Sequence, residues 1–187
     1  MCREGGANFD AVYSFGEYDG ALRGLIHLFK YSKIETLAQP LSRLLVRALP
    51  REQQFDMIVP VPMHWRKRWE RGFNQAELLA QPLARRYGVK LSRNLRRRRY
   101  TRSQAALSEA ERQRNLKDSF RVTHPEQIAG RRVLLVDDVL TTGATLRAAA
   151  ACVKAAGAAR VSALTLARVE NREVRRTVAA LAATGTN

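Results

Sequence analysis

The sequence predicts an α/β domain built on a mainly parallel, twisted sheet flanked by helices, and three observations carry that reading. Val133, Leu134, Leu135 and Val136 form an apolar run. It is too short and too uniformly apolar for a half-exposed strand, and it fits one buried on both faces of a parallel sheet. Segments of strand and helix character alternate along the chain, the order expected of such a sheet. Directly after the apolar run come Asp137, Asp138 and a Thr/Gly-rich turn opening a helix, and parallel sheets hold their ligands outside the carboxyl ends of the strands.

The elements follow in order. Phe9 to Tyr18 is rich in aromatic and β-branched residues and reads as a strand or short hairpin. Asp19 caps a helix whose Leu22, Leu25, Ile26 and Phe29 fall at amphipathic spacing and which ends at Lys30 and Tyr31. A second helix runs from about Glu35 to Leu49 with Leu37, Leu41, Leu44 and Leu45 inward, and Pro40 is tolerated near its first turn. Asp56 to Val61 reads as a strand stopped by Pro60 and Pro62. A further helix begins near Asn74, which has capping-box spacing to Glu77. It ends at Gly88, with Pro82 expected to kink or shorten it. Thr145 to Ala156 is a helix closed by Gly157, and Val161 to Ala167 a last strand. The string LAQPL occurs at 37 to 41 and again at 79 to 83, too short a repeat to argue duplication.

A chain of 187 residues can bury a sizeable core without disulfides. Cys2 and Cys152 lie far apart, and Cys152 sits in an apolar helix as a small core side chain. A reducing compartment is implied. There is no signal-peptide pattern and no apolar stretch of membrane-spanning length, so a soluble, cytoplasmic protein is expected. Thirty-three Lys and Arg against 17 Asp and Glu give a formal charge of +16, enough to attract polyphosphates, nucleic acid or an acidic membrane surface. His27, His64 and His124 show neither metal-ligand spacing nor a nucleophilic triad. His27 is expected to pack and the other two to be exposed.

The chemistry lies in residues 133 to 146. Thr141, Thr142, Gly143, Ala144 and Thr145 supply hydroxyls, a residue free to take positive φ, and unpaired N–H groups at a helix start. A phosphate monoester suits that site. Asp137 and Asp138 are acceptor-only when ionised, so they suit ribose hydroxyls and would repel a phosphate placed on them.

This stretch resembles the phosphoribosyl pyrophosphate (PRPP) motif of type I phosphoribosyltransferases. Several further strings resemble the ComF family, whose members have that domain and are associated with bacterial competence and DNA use. They are FD at Phe9 and Asp10, YDGALRGLIHLFKYSK, IVPVPMHWRKRWERGFNQAELLA and YTRSQAALSEAERQRNLKDSF, and together with the loop they cover most of the chain. The resemblance implies a type I phosphoribosyltransferase fold with a small hood lobe, spanning 9 to 170. The 1 to 8 segment would be a remnant of, or linker from, a zinc finger, and 171 to 187 a basic, Ala-rich tail. Family members often begin with a four-cysteine finger. Only Cys2 precedes Phe9 here, and one thiolate holds no structural zinc, so no zinc is expected in this chain.

The resemblance also assigns roles. Asp137 and Asp138 would take the ribose diol as the catalytic pair, and residues Thr141 to Thr145 the 5′-phosphate. A substrate-bridged Mg2+ would need few protein ligands, so no dedicated metal site is expected. Val61 and Pro62 hold the chain position of the pyrophosphate loop. Arg71, Gly72, Asn74 and Gln75, with Phe73 between them, combine a cation, a flexible point and a helix N-terminus suited to an anion; Arg66, Lys67 and Arg68 precede them. Arg96, Arg97, Arg98, Arg99, Tyr100 and Arg102, with Gln104 beyond, form the densest positive cluster. It could track single-stranded nucleic acid or belong to a mobile loop closing over the substrate. Lys30, in the string FKY, is either a surface cation or a site residue. Trp65 and Trp69 either stack on a base or partner, or pack.

Two function classes remain open. One is a phosphoribosyltransferase acting on PRPP or a related ribose 5-phosphate, in DNA uptake, DNA utilisation or nucleotide salvage. The other is a non-catalytic, single-strand-binding partner of the competence proteins that keeps the phosphate loop as a sensor or relic. A homodimer is compatible with either.

Overall fold

A computed structural model describes residues 9–32, 34–63, 69–98 and 119–169. Five parallel strands make the main sheet in the order β1-β7-β6-β2-β3. They are β1 Ala11–Glu17, β2 Met57–Pro60, β3 Lys90–Leu91, β6 Arg132–Leu140 and β7 Arg160–Arg168. Two short strands, β4 Leu95–Arg97 and β5 Phe120–Val122, pair antiparallel as a separate ribbon. The helices are α1 Gly20–Tyr31, α2 Ala38–Ala48, α3 Gln75–Tyr87 and α4 Ala144–Ala155.

Strand alternation divides β6 between two cores. Leu134 and Val136 face a core with Ile26 and Phe29 of α1, Leu41 and Leu45 of α2, and Leu79 and Leu83 of α3. Val133 and Leu135 face the other, with Leu146, Ala149 and Val153 of α4 and Leu95 and Phe120 of the ribbon. Covered on both sides, the strand has no polar alternation, as the apolar run requires.

The expected elements are present, with shifts that have local causes. Phe9 to Tyr18 gives one strand, not a hairpin, because all of β1 pairs with β7. The second helix opens with a 3-10 turn at Glu35–Leu37 before α2. α3 continues past Pro82 to Tyr87 and is not shortened there; it stops at Gly88, whose φ of 63° reverses the chain. Asp19 caps α1, its Oδ1 accepting from Gly20 N at 2.7 Å. At the foot of the sheet Asp56 accepts from the backbone N–H of Arg132 (2.8 Å) and from its Nη2 (2.7 Å). The guanidinium holds this carboxyl down at about 2. Cys152 is half-buried, and burial pushes its thiol up, away from reactivity. No described helix is long and apolar enough to cross a membrane.

Candidate functional site

Both aspartates lie inside β6, not after it as the apolar run alone suggests. β7 is as long as β6 and pairs with it as far as Leu140 and Arg168. On the other side the β2 ladder ends where Pro60 meets Val136. Asp137 and Asp138 therefore stand past the last rung of one neighbour while still held by the other.

Adjacent strand residues point to opposite faces, so the pair is split across the sheet. Asp138 continues the row of Leu134 and Val136, and its Oδ1 lies 3.0 Å from Nζ of Lys30, the penultimate residue of α1. Asp137 continues the row of Val133 and Leu135 on the ribbon side. There the half-buried Arg97 stands close enough for its charge to act on the carboxylate, its guanidinium 5.4 Å from the Phe120 ring. Asp137 Oδ1 also accepts from Asp138 N at 2.9 Å. Asp138 is thus ion-paired with Lys30 of α1, while Asp137 feels the charge of Lys30 and, more weakly, of Arg97 from the ribbon.

Burial, then repulsion from Asp138, push Asp137 up to about 7 against the pull of that N–H, Lys30 and Arg97. A carboxyl raised on folding binds its proton more tightly in the folded chain. Its contribution to stability thus falls as pH rises from the ordinary carboxylate range through about 7. Asp137→Asn removes that penalty. We expect its Tm advantage over the unsubstituted chain to be larger at pH 8 than at pH 5, measured by thermal melts; an equal difference at both pH values would show Asp137 ionising freely.

Beyond Leu140 the chain turns through Thr141 and Thr142, both exposed, to Gly143 at φ 73°. The first i−4 bond at the head of α4 runs from Arg147 N to Gly143 O at 2.8 Å. Among the described residues the N–H groups of Thr145 and Leu146 thus take no backbone acceptor. Ala144 N has only a long contact, 3.4 Å, to Thr142 Oγ1. Asp137, Thr141, Gly143 and Thr145 line a cup of about 40 Å³, enough to seat the end of an anion. Arg147 folds back over the loop: a Cβ on Gly143 would stand 2.8 Å from its Nη1. Sequence reading missed this cation. Its signal was its place one turn into the helix opened by the phosphate loop.

A second polar cluster forms where β2 exits. Val61 N donates to Val136 O (2.9 Å), and Val61 O accepts from Asn74 Nδ2 at 3.2 Å. Asn74 occupies the N-cap of α3, but that side-chain bond replaces the expected capping box, and Glu77 pairs instead with Arg93. Arg71 is held by three contacts. Its guanidinium lies 5.0 Å from the Tyr31 ring centre, Nη2 donates to Tyr31 Oη at 3.3 Å, and Nη1 donates to Gln75 Oε1 at 3.4 Å. Gln75 is 1% exposed, and its Nε2 has no acceptor among the described residues. Gly72 takes φ 85° and Pro62 is half-buried. Sequence reading gave no role to Tyr31, which lies 40 residues from Arg71.

Other expectations fare differently. Of the basic cluster, Arg96 and Arg98 are exposed while Arg97 is half-buried on the side of Asp137. Arg99, Tyr100, Arg102 and Gln104 lie outside the described residues, as do His64, Trp65, Arg66, Lys67 and Arg68. Trp69 is 86% exposed, which settles its alternative against packing. His27 is exposed rather than packed, its ring 4.7 Å from that of Tyr31, because the inward stripe of α1 runs through Ile26 and Phe29. His124 is exposed.

A family profile described as "Phosphoribosyl transferase domain" matches residues 73–180. The DNA utilization protein YhgH of Escherichia coli (strain K12) is 40% identical over 164 residues, covering 84% of this chain and 71% of the relative. Competence protein F of Haemophilus influenzae is 34% identical over 175 residues, covering 89% and 76%. Competence protein ComFC of Bacillus subtilis (strain 168) is 37% identical over 113 residues, 60% of this chain and 44% of that protein. Among solved structures, the glutamine PRPP amidotransferase of B. subtilis complexed with ADP and GMP has a TM-score of 0.51 and 22% identity. The match covers 69% of this chain and 26% of that one, and likeness at this identity speaks for the fold alone. With matches to such relatives over most of its length and a phosphoribosyl transferase domain across more than half, the chain belongs to the ComF family.

Proposed function

We propose that this chain binds PRPP, or a related ribose 5-phosphate, with Mg2+, and that with PRPP it transfers the 5-phosphoribosyl group to an acceptor, releasing pyrophosphate. Its setting would be DNA uptake, DNA utilisation or nucleotide salvage in the cytoplasm. The observation that carries the reading is the adjacency of two carboxylates, one of them ion-paired with Lys30, to a glycine turn whose first helix N–H groups have no backbone acceptor among the described residues.

In that reading the 5′-phosphate takes the cup at Thr141 to Thr145, with Arg147 above it, and the diol hydroxyls donate to Asp137 and Asp138. The hard carboxylate oxygens of Asp137 and Asp138 suit magnesium, which when bound would supply positive charge to neutralise the leaving group. Arg71, pre-positioned by Tyr31 and Gln75, would face the pyrophosphate, and the free Nε2 of Gln75 would donate beside it. The carboxylates also offset positive charge growing on the sugar as its C1–oxygen bond loosens.

Calorimetric titration of PRPP with and without magnesium tests the proposal. Expected is a one-to-one, magnesium-dependent isotherm. Absence of heat and of competition by ribose 5-phosphate under both conditions would remove it.

A further inference from the structure

On the helical face of the sheet, α2 and α3 enclose a groove of about 700 Å³ that the ligand site does not use. Its banks come from the repeated string, which the helices extend to seven positions. Leu37 to Arg43 reads LAQPLSR and Leu79 to Arg85 reads LAQPLAR. In both copies the second leucine, Leu41 or Leu83, is buried. The proline before it, Pro40 or Pro82, and the arginine two places after it, Arg43 or Arg85, line the groove. Arg47 and Arg86 extend the two banks, and Leu44 adds to the apolar lining. The groove mixes apolar lining from Pro40, Leu44, Val46, Pro82 and Leu83 with polar Gln39 and Ser42, and has two arginines on each side.

All four arginines are exposed, and among the described residues none pairs with a carboxylate. The helix dipole accounts for cations in a last helical turn, as at Arg47, Arg85 and Arg86. It does not account for Arg43, in mid-helix, or for gathering all four around one concavity. A second copy of the chain would bring like charges face to face. Single-stranded nucleic acid would look for rings on which to stack, and among the described residues no aromatic side chain lines the groove.

We infer that this groove docks an acidic amphipathic helix of a partner protein. An aliphatic stripe would lie on the prolines and Leu44, with carboxylates along both flanks meeting Arg43 and Arg47 on one side and Arg85 and Arg86 on the other. Residues four apart on a helix rise about 6 Å, so Arg43 and Arg47 match carboxylates spaced i, i+4 on the partner. Helices of a parallel α/β layer run against the strands. The C-terminal ends of α2 and α3, with Arg47, Arg85 and Arg86, therefore lie at the edge opposite Asp137 and Asp138, and docking leaves the ligand site open.

The probe is a fluorescein-labelled helical peptide with leucines at i, i+3, i+4 and i+7 and glutamates on both flanks, followed by anisotropy. Binding should weaken with salt and fall about tenfold or more in Arg43→Glu/Arg85→Glu. The charge-matched control Arg121→Glu/Arg160→Glu should stay within about threefold. The milder Arg43→Gln/Arg85→Gln pair, checked by melting temperature, covers a loss of folding. Three outcomes overturn the inference: no peptide binding, equal losses in groove and control variants, or an oligodeoxythymidylate that binds the chain and is lost only in the groove variants. PRPP titration of the same variants separates this result from the ribose-phosphate reading, because their PRPP isotherm is expected to be unchanged.

Discussion

Asp138→Asn should weaken PRPP binding in magnesium about a hundredfold, the equivalent of losing one charge-assisted hydrogen bond together with part of the site's negative charge. The size follows from what the side chain does in the free protein. Lys30 Nζ lies 3.0 Å from it, and both side chains are about 85% covered, at 15% and 14% exposure. Asparagine keeps one acceptor oxygen, but it turns the other into an amide donor and leaves an enclosed ammonium without its counter-charge. The stranded cation costs folding stability rather than affinity, so Lys30→Met in the Asp138→Asn background should recover stability without recovering affinity. The checks are calorimetry for binding and a four-variant melting cycle for the pair. Unchanged affinity in Asp138→Asn would take the acidic pair out of the ligand site.

Gly143→Val should abolish ribose 5-phosphate binding and lower stability by about 1–3 kcal/mol. Gly143 is buried at φ 73°, a region that a β-branched residue adopts only under strain. Even a single Cβ would stand 2.8 Å from Arg147 Nη1 and 3.3 Å from Leu140 Cδ1. The arginine must move off the loop, and the turn must open where the uncapped N–H groups converge. Gly143→Ala should show the same signs at smaller size. Ribose 5-phosphate titration and thermal melting report both effects, and a valine variant that binds normally would place the phosphate elsewhere.

What the sequence revealed follows the range of the forces involved. Val133 to Val136 announced a doubly covered strand because burial on two faces erases alternation, a local signature. Gly143 and Gly88 announced turns because positive φ is a local demand. The length of β6 past Asp137 was hidden, since it depends on β7, whose Thr165 is paired with Asp137. Asn74 offered two uses for its amide, and the choice between capping α3 and holding Val61 O was made by β2. Arg97 looked like one of a row of like charges until pairing with Phe120 across the ribbon gave its strand a face. Tyr31 and Arg71 meet only because α1 and the entry to α3 arrive at the same edge.

The separation of Asp137 and Asp138 to opposite sides of β6 makes the strand tip a rivet point. A pentose held by both carboxylates would be gripped at once by the slab that contains α1 and by the slab that contains the ribbon, layers whose apolar interiors are otherwise distinct. Occupancy would then tighten amide protection on both sides of the sheet together, so the chain would lose its independent modes of local opening when it fills.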